Sequence, residues 1–163
     1  MIKIDDKKVI VNSFSELKSV LEEFNSYNYI FLMNDINITE DIFIEDFKSN
    51  LTIDGTYQNV EANVTIGNNQ ITVGAKMKKL TYKNMIISCS NQSGFIYAPA
   101  EEYYEDVLVT FDNIIFNGTS MATLEYSDFK ILDSIIRIET TDSVSATVVA
   151  KANHVYIGEH GTN

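Results

Sequence analysis

The sequence is poor in tryptophan, proline and cysteine. Among its 163 residues there is no tryptophan, one proline and one cysteine. A single cysteine cannot form an intramolecular disulfide, so no disulfide framework holds the fold. Cys89 lies in the apolar run of residues 85–89 and is predicted to be a small buried hydrophobe rather than a nucleophile.

Positive charge is also scarce. Lys and Arg number 12 against 23 Asp and Glu, which gives a net charge of −11. Nucleic-acid binding depends on basic residues that displace counterions, so a nucleic acid is excluded as a partner. We interpret the acidity as a feature of solubility. A Ca²⁺ site among the carboxylates is the alternative, and no other cofactor is indicated.

Long apolar runs are missing as well. No stretch approaches the roughly 20 residues of a membrane-spanning helix, and residues 1–8 lack the apolar core of a signal peptide. Membrane insertion is therefore not expected. The chain is either a cytosolic or phage-borne protein or a part of a longer protein, and we favour the second interpretation.

One segment has helical periodicity. Residues 13–27 begin with Ser13 and Glu16 at the spacing of a capping box, in which both side chains accept hydrogen bonds from exposed backbone N–H groups. This pattern predicts a single amphipathic helix that covers a core. Its apolar stripe, at steps of three and four residues, consists of Phe14, Leu17, Val20, Leu21 and Phe24.

The rest of the chain consists of short β-rich segments bounded by Asn, Asp, Gly or Ser. Residues 80–87 and 109–116 match position by position, and looser copies lie at residues 51–55, 130–137 and 152–157. The unequal spacing of these copies is typical of a β-solenoid, whose loops vary in length. Each copy has a small or polar pivot residue, at Gly55, Asn84, Asn113, Ser134 and Asn153.

The pivots have a physical role in such a solenoid. Each coil turns corners between strands, and Asn and Gly tolerate the left-handed backbone conformation that corners use. Stacked polar side chains can also hydrogen-bond in ladders. The sequence predicts one all-β domain over residues 1–163, a right-handed parallel β-helix with an N-terminal capping helix. Nothing equivalent covers the C-terminal end, which favours truncation or self-association through that end.

Three segments carry a family resemblance. They are the helix start at residues 11–17, the strand at residues 30–36 and the L-T-I-D-G strand at residues 51–55. Their succession resembles the pectate-lyase-like superfamily of right-handed β-helices, especially the adhesive domains of Gram-positive bacterial surface proteins. The resemblance implies an adhesin or glycan-binding shaft at the cell surface or outside the cell. Its ligand would be a carbohydrate or a host-surface molecule, and some relatives cleave polysaccharides.

The resemblance also implies a candidate catalytic set. Polysaccharide lyases of this fold pair an acidic Ca²⁺ site with a basic residue that abstracts a proton. Arg137 is the only arginine, and Asp112 and Asp133 each precede a pivot, so the carboxylates are expected roughly 5 Å apart on stacked coils. The alternative, which we favour, is a solvated charged stripe. The hydrolase-like residues 137–139 and 159–161 depart from the known motifs and are interpreted as coincidence.

A binding surface is predicted within the irregular residues 90–106. Aromatic rings can stack on sugars and carboxylates can accept hydrogen bonds from their hydroxyls, so we select Tyr103, Tyr104, Glu101 and Glu102. The first functional hypothesis is a non-enzymatic adhesive or glycan-binding module of a bacterial surface protein. A polysaccharide lyase or glycoside hydrolase is the second, and the structural shaft of a phage tail or spike is the third.

Overall fold

The chain folds into a β-solenoid of about four turns, in which strands account for about 56% of the residues. The structure is a computed structural model that describes residues 1–45, 48–100, 104, 106–139 and 150–160. The predicted parallel β-helix with an N-terminal helix is confirmed. Within the described residues, no helix combines the length and apolar character needed to cross a membrane.

Three walls of parallel strands form the solenoid, and each long strand bends at a corner to contribute to two walls. The first wall contains β2 (Lys8–Val11), β3 (Tyr29–Leu32), β6 (Asn50–Asp54), the first halves of β11 (Lys79–Cys89) and β13 (Leu108–Gly118), and the second halves of β14 (Ala122–Leu132) and β16 (Ala150–Gly158). The second wall contains β4 (Ile36–Ile38), β9 (Asn63–Ile66), the second halves of β11 and β13, and β15 (Ile135–Ile138). The third wall contains β5 (Ile42–Ile44), β10 (Ile71–Val73), β12 (Ile96–Ala98) and the first parts of β14 and β16.

Three short strands lie outside these parallel ladders. The strand β1 (Ile2–Lys3) pairs antiparallel with β2 at the N-terminal edge of the first wall. The strands β7 (Thr56–Tyr57) and β8 (Val60–Glu61) form a separate antiparallel pair, at the point where the chain passes between the first and second walls.

The one helix within the described residues, α1 (Phe14–Glu22), packs against β4 and β5 and so covers the N-terminal ends of the second and third walls. Its N-cap follows the predicted capping box, because the Ser13 hydroxyl accepts from the Glu16 N–H while the Glu16 carboxylate accepts from the Asn12 N–H. The helix ends earlier than residue 27. The Asn25 amide donates to two carbonyls at its end, and Phe24, predicted in the apolar stripe, is 89% exposed.

The predicted pivot ladder exists at the corner between the first and second walls. Asn84 and Asn113 both have φ of 53°, the left-handed conformation expected of a corner. The Asn113 amide donates to the Asn84 oxygen at 2.9 Å, and the Asn84 amide donates to Asp54 at 3.0 Å. Gly55 is required at this corner for a steric reason. A Cβ there would lie 2.4 Å from the backbone oxygen of Asn84.

Two of the looser sequence copies were aligned wrongly. Asp112 lies opposite Leu132 and Ile115 lies opposite Ile135, so Asp133 rather than Ser134 occupies the next pivot. Asp133 accordingly has φ of 46°. In the last copy, residues 154–158 pair with residues 128–132, which places the pivot position after β16 and not at Asn153.

An aromatic cluster fills the middle of the core. The Phe111 ring lies 5.8 Å from Tyr82, 6.1 Å from Phe95, 6.4 Å from Phe116 and 5.1 Å from Phe129, measured between ring centroids. All five side chains are almost completely buried. Cys89 is buried as predicted, and burial raises the pKa of its thiol to about 11.

The Tyr82 hydroxyl is a polar group inside this apolar cluster. It is buried without a hydrogen-bond partner among the described residues, and burial raises its pKa because the charged form loses its hydration. A Tyr82→Phe variant should therefore raise the free energy of unfolding by about 1 kcal/mol in urea titrations, since it removes an unsatisfied group at constant shape. Tyr156→Phe, at an exposed ring, is the control and should change little. A clear loss of stability in Tyr82→Phe would show that the hydroxyl has a partner.

The C-terminal end of the described solenoid exposes residues that continue the core columns. Val155 pairs with the buried Phe129, and Ile157 pairs with the buried Ile131. Ile157 is nevertheless 79% exposed, because no described strand lies beyond β16 in the first wall. Self-association through this end stays a prediction.

Candidate functional site

The two predicted aspartates lie together, and a histidine joins them. Asp112 is near the first-wall end of β13, Asp133 follows β14, and His160 follows β16. The His160 Nε2 atom is 2.9 Å from Asp112 Oδ1 and 3.8 Å from Asp133 Oδ2. The His160 backbone N–H also donates to both Asp133 oxygens, at 3.3 Å each. Residues from three successive coils therefore form one polar cluster.

Arg137 does not join this cluster. It lies past the corner on β15, where it pairs with Asn117, and its Nη1 atom is 3.4 Å from the Asn117 Oδ1 atom. Among the described residues it forms no ion pair with Asp112 or Asp133. Arg137 is thus separated from Asp112 and Asp133 by the corner between the first and second walls, and a catalytic role for the three residues stays a prediction.

The predicted binding segment is only partly described. Glu101, Glu102 and Tyr103 lie outside the described residues, and their binding role stays a prediction. Tyr104 is 3% exposed, and its carbonyl accepts a hydrogen bond from the Ser127 hydroxyl at 2.8 Å. The Tyr104 ring packs in the core, so it does not offer an open face to a ligand.

The outer face of the first wall carries a row of hydroxyl and aromatic side chains that the sequence reading missed. Strand registers place one residue from each successive strand in this row. At roughly 4.8 Å per strand, the row is about 24 Å long. We call it the outer row, and it consists of Tyr29, Thr52, Thr81, Thr110, Lys130 and Tyr156. Thr110, in the middle of the outer row, is only 6% exposed.

A groove of about 410 Å³ lies at the N-terminal part of the outer row. Tyr29, Thr52 and Thr81 line it, and Lys79 and Lys83 add two cations. A second groove of about 480 Å³ lies at the other end, against Lys130 and Tyr156. An aromatic ring and a cation therefore lie at each end of the outer row, with threonines between them.

Asp54 organises the first groove. Its buried carboxylate accepts from the Tyr29 hydroxyl at 2.7 Å and from the Asn84 amide at 3.0 Å, and it lies 3.3 Å from the Lys83 ammonium. Interaction with the Tyr29 hydroxyl, followed by the charge of Asp54, raises the pKa of Lys83. Lys83 therefore stays protonated, and its ammonium lies 5.6 Å from the centre of the Tyr29 ring. The groove presents polar groups in fixed positions.

The signal for the outer row was present in the sequence. In a half-buried strand, every second residue faces away from the core, so Thr52 and Thr81 must face outward if Ile53 and Tyr82 face inward. The position-by-position match of residues 80–87 with 109–116 places Thr81 beside Thr110, and the looser copy at residues 51–55 places Thr52 beside Thr81. The registers of β3, β14 and β16 required the structure.

Parallel β-solenoids with a polar outer face are a class of elongated proteins, and they offer a flat, repetitive surface to ligands or partners. Residues 8–123 match the family described as "Putative pectate lyase-like adhesive domain". The chain belongs to this family. No curated protein matches the chain in the comparison. No solved structure matches it either.

Proposed function

We propose that the chain is a non-catalytic adhesive module of a bacterial surface protein that binds carbohydrate along the outer row. Membership of an adhesive-domain family supports binding as the function and favours a surface or extracellular location. The outer row supports carbohydrate as the ligand, and it is the observation on which the proposal rests.

The chemistry of the outer row suits a sugar chain. Aromatic rings provide apolar faces for pyranose C–H groups, while hydroxyl and ammonium groups form hydrogen bonds with sugar hydroxyls. A row of about 24 Å favours an extended oligosaccharide over a single sugar. Carboxylates accompany two of the three lysines of the two grooves, since Asp54 lies 3.3 Å from Lys83 and both Asp106 and Asp128 line the groove with Lys130, so a neutral glycan is favoured over an acidic one.

The proposal is tested with an array of neutral, uronate-containing and sialylated glycans, followed by calorimetric titration of the bound glycan. The test variant is Tyr156→Ala, which removes the exposed ring at one end of the outer row. We expect it to weaken binding about fivefold to tenfold, the effect of losing one stacking contact.

The matched control is Tyr97→Ala, which removes a partly exposed tyrosine from the third wall. We expect its affinity to equal that of the unmodified chain. Equal losses in both variants, or no binding to any glycan, would contradict the proposal. Release of reducing ends or unsaturated products during incubation would contradict the non-catalytic part. A Tyr103→Ala variant in the same titration tests the segment selected from the sequence.

A further inference from the structure

We propose that Asp112, Asp133 and His160 bind a divalent transition-metal ion, for which Zn²⁺ is the probe. Within the part of the chain that the structure describes, this is the one group of three such side chains whose ligand atoms lie within 4.8 Å of one another. The proposed site lies at the corner of the last coils and does not include the outer row. It can therefore be tested separately from carbohydrate binding.

The distances between the ligand atoms suit a small ion. Atoms that surround a tetrahedral Zn²⁺ at about 2.1 Å lie about 3.4 Å from one another. The His160 Nε2 atom is 2.9 Å from one carboxylate oxygen and 3.8 Å from the other, on either side of this value, and all three atoms lie within 4.8 Å of one another. Small side-chain rotations would bring all three atoms into coordination.

The ligand types select the metal. Ca²⁺ prefers six to eight oxygen ligands, whereas imidazole nitrogen together with carboxylate oxygen suits Zn²⁺ and neighbouring transition metals. Three protein ligands leave a further position for water or a ligand group. The His160 side chain is 60% exposed, so an ion can reach the site from solvent.

The surroundings favour a cation. The His160 backbone N–H donates to both Asp133 oxygens and so holds this carboxylate close to the imidazole. The oxygens are thereby oriented before an ion binds. Among the described residues, neither Asp112 nor Asp133 forms an ion pair with a lysine or arginine. Two neighbouring carboxylates in a chain of net charge −11 repel each other, and a divalent ion would relieve this repulsion.

The chain contains its own control for surface histidine binding. His154 is 61% exposed and its Nδ1 atom is 2.9 Å from one carboxylate, that of Asp128. This pair also joins one histidine to one aspartate, but among the described residues no second carboxylate completes a group of three. It should bind Zn²⁺ much more weakly than the three-residue site.

The experiment is calorimetric titration of the metal-free, untagged full chain with Zn²⁺, with Co²⁺ absorption as a second readout of ligand geometry. We expect one site per chain. His160→Ala and Asp133→Asn should each weaken Zn²⁺ binding at least about tenfold, while His154→Ala should leave it unchanged. The melting temperature should rise with Zn²⁺ in the unmodified chain and in His154→Ala only.

Three results would overturn the inference. The first is Zn²⁺ affinity that is the same in His160→Ala as in the unmodified chain. The second is equal loss in His154→Ala and His160→Ala, which would indicate general histidine binding. The third is tight Ca²⁺ binding without Zn²⁺ binding, which would indicate that only oxygen atoms coordinate the ion. Glycan binding by the same variants reports separately on the outer row.

Discussion

Replacing Phe111 by alanine should lower the free energy of unfolding by about 3–5 kcal/mol. Phe111 is completely buried, and its ring contacts the rings of Tyr82, Phe95 and Phe129 from neighbouring coils. Its removal leaves a cavity between stacked walls that in-register strands cannot easily close, because each strand is held by a neighbour on both sides. Urea unfolding followed by circular dichroism measures this loss.

The control for Phe111 is Phe43→Ala. Phe43 is the same residue type on β5, but it faces outward and is 40% exposed. We expect this change to cost about 1 kcal/mol or less. Similar losses in the two variants would mean that the aromatic cluster is not the centre of the core.

Replacing Gly118 by alanine should destabilise the chain by about 3 kcal/mol or more. Gly118 pairs with Cys89 where β13 lies on β11, and an added Cβ would lie 2.0 Å from the Cys89 backbone oxygen. That oxygen belongs to the ladder between two coils and cannot move without breaking the register. The large expected effect has two causes, the close approach of the two coils and the φ of 158° at Gly118, which L residues rarely adopt.

Gly67→Ala is the matched change. A Cβ at Gly67 would have no atom within 4 Å, so the expected result lies between no change and a gain of about 1 kcal/mol. Differential scanning calorimetry of both variants separates the two cases. A stable Gly118→Ala variant would contradict the register of β11 and β13.

The fold could be predicted from the sequence because two internal repeats share the same pattern of residue types. Residues 80–87 and 109–116 pair in the register that their alignment gives. The copy at residues 130–137 was displaced by one residue, because both Asp133 and Ser134 are suitable at a corner. The core decides between them, since Phe129 and Ile131 must both face inward.

The candidate sites were less predictable, because they depend on contacts between distant coils. Asp112 and Asp133 were expected to be neighbours, and they are, although through a different register. His160 could not be placed with them, because its position depends on where the last coil docks. The outer row likewise combines residues from six strands, two of which were misaligned from the sequence.

The most direct test of carbohydrate binding along the outer row is a methyl NMR titration with the glycan that the array identifies. Thr52 and Thr81 lie in the outer row, whereas Thr72 and Thr123 lie on the third wall. We predict that the methyl signals of Thr52 and Thr81 shift with added glycan while those of Thr72 and Thr123 stay in place. Shifts at Thr72 and Thr123, with Thr52 and Thr81 unchanged, would contradict the proposed binding face.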